Sequence, residues 1–320
     1  MEKRKINYLL CTNQKDPLSN TSSLSYGHFR VPQPKDLEEV IKLSVEKHGE
    51  CGERARFIYR HAEQAISLLE ELKISYEQRS FGVIPLGKRR GGNTVLRALQ
   101  SPLASIQTER ELKDFIKEEQ EFTLLFNHGM ISTRYLVLAT GGFGGHPEFQ
   151  HTDNFRYPTY SIPEMVVRNG GTIINQDCIF IHPFGHNKGR NILIGIEVKK
   201  GDFIDEKGNY VFDAETRNLI RNNNYHEIFD RVLQVISSYG RRAKVYFVDN
   251  ERKIEIHPTV HYTAGGIKAD YLGRVVGCKN IFAMGECRAD GSKNGGRLPG
   301  YAFTSAVVDA KHLAENLISL

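Results

Sequence analysis

The stretch STRYLVLATGGFGG, positions 132–145, constrains this chain more than any other. Its centre is a continuously apolar run, the pattern of a strand covered on both faces, and it breaks into Ala-Thr-Gly-Gly. Glycines at a strand end let the backbone come close to another backbone or to a flat ligand. In an open α/β sheet, ligands gather at the carboxyl ends of the strands. Strand and helix signals alternate on both sides of this run, which predicts an α/β fold.

The flanking segments fill in that expectation. INYLLC near residues 5–11 reads as a short strand, and the Ser/Thr-rich PLSNTSSLSYGHFR at 17–30 as a loop. Apolar spacing predicts helices from Asp36 to about His48 and from Glu53 to Leu72. KRRGGNTVLRA at 88–98 reads as a glycine turn entering a helix, and 109–127 as a charged helix followed by the strand EFTLLF. Ser161 and Glu164 are spaced as a capping box with Pro163 in the first turn, and Gly170 and Gly171 stop that helix. TIINQDCIFIHP reads as a strand pair. Residues 185–250 turn polar, with turn signals at DEKGN and RNNN, and predict a separate lobe. A strand at KNIFAMGE and a helix at TSAVVDAKHLAENLI follow.

Composition removes several classes of function. No apolar run approaches the roughly 20 residues of a membrane helix, so the chain is read as cytoplasmic. The net charge of +5 is scattered, with KRR at 88–90 among its longest basic runs, so no nucleic-acid surface is expected. A modestly positive cleft for an anionic substrate is a better use of that charge. Five cysteines, none in a C-x-x-C pair, give no disulfide frame and no zinc or iron–sulfur site. His182 and His186 are four apart, but Pro183 and Gly185 exclude the helix a metal pair would need.

A second run carries more chemistry: HYTAGGIKAD, then NIFAMGE, then GGRLPGYAF, all within 261–303. Gly265 and Gly266 would allow a bend against a flat ligand. Arg297, among small residues, has the planar fork that suits a carboxylate, and His261 could donate to the same anion.

Taken together, HYTAGGIKAD, NIFAMGE, GG-RLPGYAFTSAVV, VLATGGFGG, IFIHPFG and RRGGNTVLRAL resemble the succinate dehydrogenase/fumarate reductase flavoprotein family, which includes the L-aspartate oxidases. The resemblance runs over most of residues 80–320. It implies an FAD-binding Rossmann-like α/β domain, N-terminally truncated, with an inserted α+β capping domain. The domain would span 1–180 and 257–320, and the cap 181–256. It implies hydride transfer between FAD and a small carboxylate. By resemblance His261 and Arg297 hold a substrate carboxylate, with His182 on the cap side. Ser22, Ser23, Ser25, Thr140, Gly141, Gly142, Gly265, Gly266, Glu286, Ala302 and Phe303 would lie along the cofactor.

The chain departs from that family in three places. No G-x-G-x-x-G follows its first strand, so the segment that meets the FAD pyrophosphate is expected to be missing. Where the family carries T-E-x-x-R-G-E-G, this chain has ILIGIEVKKG, with Gly195 at the glutamate. Where the family's proton-donating arginine opens R-D-x-V-x-R, this chain has His226. An imidazolium there can act as a general acid near neutral pH. Three readings stay open. A partner protein or second subunit completes the FAD site; or INYLLC moves into the vacant strand position; or the chain is a non-catalytic binding or scaffold subunit. An unfilled central strand would leave backbone groups unpaired on both neighbours, so the first two readings each fill it.

Overall fold

The computed structural model describes residues 7–100, 106–119, 121–155, 161–193, 195–222, 228–290, 292 and 297–318. The chain divides into two compact bodies. The larger takes residues 1–143, 158–178 and 263–320, and the smaller takes 144–157 and 179–262. The smaller body therefore includes the loop after the glycine run as well as the polar lobe.

In the larger body the apolar run becomes the strand Leu136–Leu138, paired in parallel with Ile281–Ala283. The pairing sets Ala283 opposite Leu138, so the two glycine-bearing strand ends emerge side by side. Beneath them Phe115, Leu136, Leu138, Ile162, Met165, Val166 and Ile281 form one buried cluster. Each such side chain contributes about 1.5–3 kcal/mol on leaving water. The helix Ser161–Arg168 supplies Ile162, Met165 and Val166 from one face. At its end Gly170 takes φ of +90°, the left-handed stop expected of a glycine.

Leu10–Cys11 pairs in parallel with Ile106–Gln107 in a second two-stranded ladder. Among the described residues it does not pair with Leu136–Leu138. Among the described residues each ladder is two strands wide. Leu10 stays 43% exposed and Val137 38% exposed, unusual for strands of a doubly covered sheet.

Three expectations need correction. Residues 112–117 are not a charged helix but the strand Leu112–Lys117, the first of an antiparallel three-stranded meander with Phe122–Phe126 and Met130–Thr133. Phe115 is buried and pairs with the buried Leu124 of the next strand, while Ile116 is exposed, so cross-strand pairing outweighed the helix-forming charges. The long helix at 53–72 is two helices, Gly52–Arg60 and Gln64–Glu71. His61 closes the first, its Nδ1 lying 2.8 Å from the Phe57 carbonyl. Ile173–Ile174 and Ile179–His186 are both strands but not partners: the first pairs with Gly266–Ile267 and the second joins the smaller body's sheet.

The smaller body is a five-stranded sheet in the order Asn191–Ile192, Ile179–His186, Lys253–Thr263, Val245–Val248, Asp202–Asp205. The helices Ala214–Arg221 and Phe229–Gly240 accompany it. Phe184, Phe203, Phe247, Val232 and Ile236 close its core. Asp213 caps the first helix by accepting from the Thr216 amide at 2.7 Å. No helix among the described residues is long and apolar enough to cross a membrane.

Candidate functional site

In the larger body two parallel strands deliver Thr140, Gly141 and Gly142 beside Gly285 and Glu286. Glu286 Oε1 accepts from the Thr263 amide at 3.0 Å and from the Thr263 hydroxyl at 3.1 Å. That bond fixes the end of the Lys253–Thr263 strand just before Gly265 and Gly266.

The glycines here serve two different ends. A Cβ on Gly142 would sit 2.2 Å from Thr263 Oγ1, and one on Gly265 would sit 1.8 Å from the Asn175 carbonyl oxygen. Those two glycines, and Gly266 against the Cys287 carbonyl, are required by the protein's own packing. Gly141 and Gly285 are different: both have positive φ, +78° and +64°, and nothing lies within 4 Å of a Cβ on either. They line open space at the strand ends, as residues beside a flat ring must. A narrow cleft of about 10 Å³ lies beside Gly141, bounded by Thr140, Phe143, Ile162 and Cys287, with room for about one water. The open space beside Gly141 and Gly285 is what a flat ring there would need. We expect Gly141→Ala to cost only about 1–2 kcal/mol, the strain of positive φ. It should lower flavin retention far more than thermal stability, read by bound flavin per chain against the melting curve.

The serine loop folds onto the first turn of the helix Gly91–Gln100. Asn20 Oδ1 accepts the Ser23 amide at 2.9 Å, and the Ser23 hydroxyl donates to the Asn20 carbonyl at 2.8 Å. Ser25 donates to the Ser22 carbonyl and accepts the Gly27 amide. Ser23 is thus engaged inside its own turn, while Ser22 is exposed. A Cβ on Gly92 would lie 2.1 Å from the Ser22 carbonyl, so this loop and helix can pack only through glycine. At the last helix, Tyr301–Ile318, Ala302 is exposed in the first turn, whereas Phe303 packs edge-on against Phe29 with ring centres 5.4 Å apart.

Arg297 is also in the larger body, and it faces inward. Its Nη1 lies 3.3 Å from Asp290 Oδ2, and its guanidinium sits 5.4 Å from the centre of the Tyr301 ring. To hold a ligand carboxylate this arginine would exchange a protein carboxylate for it. Burial lowers its pKa to about 9, which leaves it cationic at neutral pH. Burial also pushes the Asp290 carboxyl up to about 7, against the Ser292 amide and the Arg54 and Arg288 guanidiniums. Glu50 rises to about 7 for the same reason, opposed by the nearby Tyr301 hydroxyl and the Arg54 and Arg297 guanidiniums. Beside them Arg54 grips Asp309 through both nitrogens at 2.6 and 2.8 Å, and Arg288 adds a third contact at 3.2 Å. Sequence reasoning missed this buried network because its members lie at opposite ends of the chain.

In the smaller body His182 and His261 come together, ring centres 5.9 Å apart. Phe180 and Phe229 stack at 5.2 Å and flank the pair. Asp153, which sequence reasoning also missed, reaches His261 Nδ1 at 2.6 Å. No pattern in the sequence links residues 108 positions apart. His226 lies outside the described residues. Of its segment Ile228–Arg231 is described, and the Arg231 guanidinium pairs with Asp213. Glu197, beyond Gly195, lies 3.6 Å from Arg252. Among the described residues there is no cluster fit to hold a metal.

Comparison with known proteins gives consistent relatives. A family model described as an FAD binding domain matches residues 225–302. The L-aspartate oxidase of Halalkalibacterium halodurans is 24% identical, with 98% of this chain and 69% of that protein covered. That of Clostridium acetobutylicum is 23% identical over 57% of this chain and 46% of its own length. Among solved structures, an E. coli quinol fumarate reductase superposes with a TM-score of 0.76 at 17% identity, covering 97% of this chain and 65% of that one. A 3-ketosteroid delta1-dehydrogenase of Sterolibacterium denitrificans gives 0.71 at 10% identity, covering 97% and 94%. The chain spans roughly two thirds or less of the length of most of these relatives.

Proposed function

Because this chain belongs to the succinate dehydrogenase/fumarate reductase flavoprotein family of FAD-dependent oxidoreductases, we propose that it moves a hydride to or from a small carboxylate, with a partner completing its FAD site. The observation that carries this reading is the pair of side-by-side strand ends bearing Gly141 and Gly285, open on the side a flavin would occupy. FAD, when bound, supplies the hydride chemistry.

The chain's own residues would do the rest. His182 accepts the Phe184 amide at its Nδ1, 3.3 Å away, so its neutral ring presents Nε2–H as a donor. That donor suits a carboxylate oxygen. Phe180 packs against both histidines and Phe229 against His182, giving the pair an apolar wall. Fixed donors of this kind stabilise negative charge that develops as a hydride arrives.

The partner in this reading is supported by the two narrow ladders. Leu10–Cys11 and Leu136–Leu138 each pair with one strand, and both carry exposed apolar side chains. An added strand would satisfy their backbone groups. The inward turn of Arg297 favours a second reading, a non-catalytic binding or scaffold subunit.

The visible absorbance of the purified chain separates the two. With added FAD, the chain alone should hold less than one flavin per molecule, and coexpression with the strand-donating partner should bring this to one. A chain that stays colourless with every neighbouring gene product coexpressed leaves only the scaffold reading.

A further inference from the structure

The smaller body sets its two histidines in opposite hydrogen-bonding states. An ionised carboxylate only accepts, so the bond to Asp153 places a proton on His261 Nδ1. His182 is held the other way, its Nδ1 accepting from the Phe184 amide. His182 is therefore a neutral donor. His261 is the ring that can hold a second proton, because a nearly buried carboxylate sits against it: Asp153 is 12% exposed, and the imidazole 38%.

A ligand carboxylate arriving at His261 would set two negative charges on one imidazole. A neutral His261 has a proton for Asp153 and a lone pair for the ligand, which repels. An imidazolium has a proton for each. We propose that Asp153 is a positioning residue that makes His261 the proton-carrying group of this site, so that a carboxylate ligand and one proton bind together. The carboxylate half of this inference rests on the function proposed above.

The surroundings bear on the charge. From the Ile179–His186 strand comes His182, and from the Phe229–Gly240 helix comes Phe229, which is uncharged. Four residues back on the same strand, His257 stacks on His151 with ring centres 4.3 Å apart and lies 3.8 Å from Glu255. Burial lowers the His257 pKa, with His151 and Lys244 adding to the effect and Glu255 opposing it. Among the described residues it is Asp153 that supplies His261 with a contacting carboxylate.

The test uses the full chain with labelled histidines, with His261→Gln to assign the signals. In the ring-nitrogen spectrum His261 should keep Nδ1 protonated as Nε2 titrates. Asp153→Asn should lower its midpoint by about one pH unit, and Asp153→Glu should restore part of the shift. In a second arm, malonate binding is followed by calorimetry in two buffers of different ionisation heat. Above the midpoint each malonate should take up about one proton, and Asp153→Asn should bind about tenfold more weakly at pH 7. A His261 midpoint that Asp153→Asn leaves unmoved overturns the pairing. Malonate binding without proton uptake overturns the coupling. A titration as expected with no malonate binding at any pH overturns the carboxylate ligand, and the function proposed above with it, while the Asp153–His261 pairing stands.

Discussion

Asp309→Ala should lower the stability of the larger body by about 3–5 kcal/mol. Asp309 answers two buried arginines: Arg54 with two bonds at 2.6 and 2.8 Å, and Arg288 with one at 3.2 Å. Arg54 and Asp309 side chains are 7% and 3% exposed, so water cannot replace the lost carboxylate. Removing it leaves two guanidiniums in a medium that penalises each of them. Such a loss is a large part of the roughly 5–15 kcal/mol that holds a typical domain folded. Asp309→Asn keeps one acceptor and should cost less. Replacing Arg54 and Asp309 together with methionine and leucine should recover much of the loss, because no charge of that pair is then left alone. Urea unfolding in the cold reads all three variants. A loss below about 1 kcal/mol for Asp309→Ala would show that the arginines find other partners.

The second large effect is a stability that falls as pH rises through neutrality. Glu50 and Asp290 are carboxyls near 4 in an unfolded chain, and burial raises both to about 7 in the folded one. Below about pH 4 both states hold these protons, and the contribution is fully present. Between about 4 and 7 the unfolded chain gives them up and the folded chain keeps them, so stability is lost steadily. Above about 7 the folded state has released them too, and the curve flattens. Each group alone would account for up to about 4 kcal/mol over that span. The urea midpoint should therefore drop between pH 5 and pH 8, opposite to the trend of ordinary ion-paired carboxylates. Asp290→Asn, which removes one of the two protons, should make the slope shallower. A slope equal to that of the unaltered chain would sink the assignment.

How far sequence could reach depends on how locally each feature is encoded. The strand Leu136–Leu138 and the helix Leu37–His48 were legible because apolar spacing and end signals all lie within a few residues. Leu112–Lys117 was not, because it buries only Phe115, against Leu124 of the next strand, amid strong helix formers. His182 and His261 were legible as residue types in a glycine-rich setting. Their company was not: Asp153 comes from a loop that joins the smaller body, and Asp290 draws Arg297 inward, neither of which a spacing reveals. The glycines were legible as a group, but only geometry separates Gly142 and Gly265, which protein atoms demand, from Gly141 and Gly285, which face open space.

The Arg54–Asp309 bond also sets a schedule for synthesis. Its two residues are 255 positions apart. A ribosome adds about 5–20 residues each second, so roughly 10–50 s pass between making the arginine and making its carboxylate. Throughout that interval the helix Gly52–Arg60 carries a cation it cannot bury, and its face cannot close. The helix bearing Asp309 acts as the last piece of a puzzle begun at the other end. A nascent chain of this protein should stay open to proteases and chaperones until the helix Tyr301–Ile318 has left the exit tunnel.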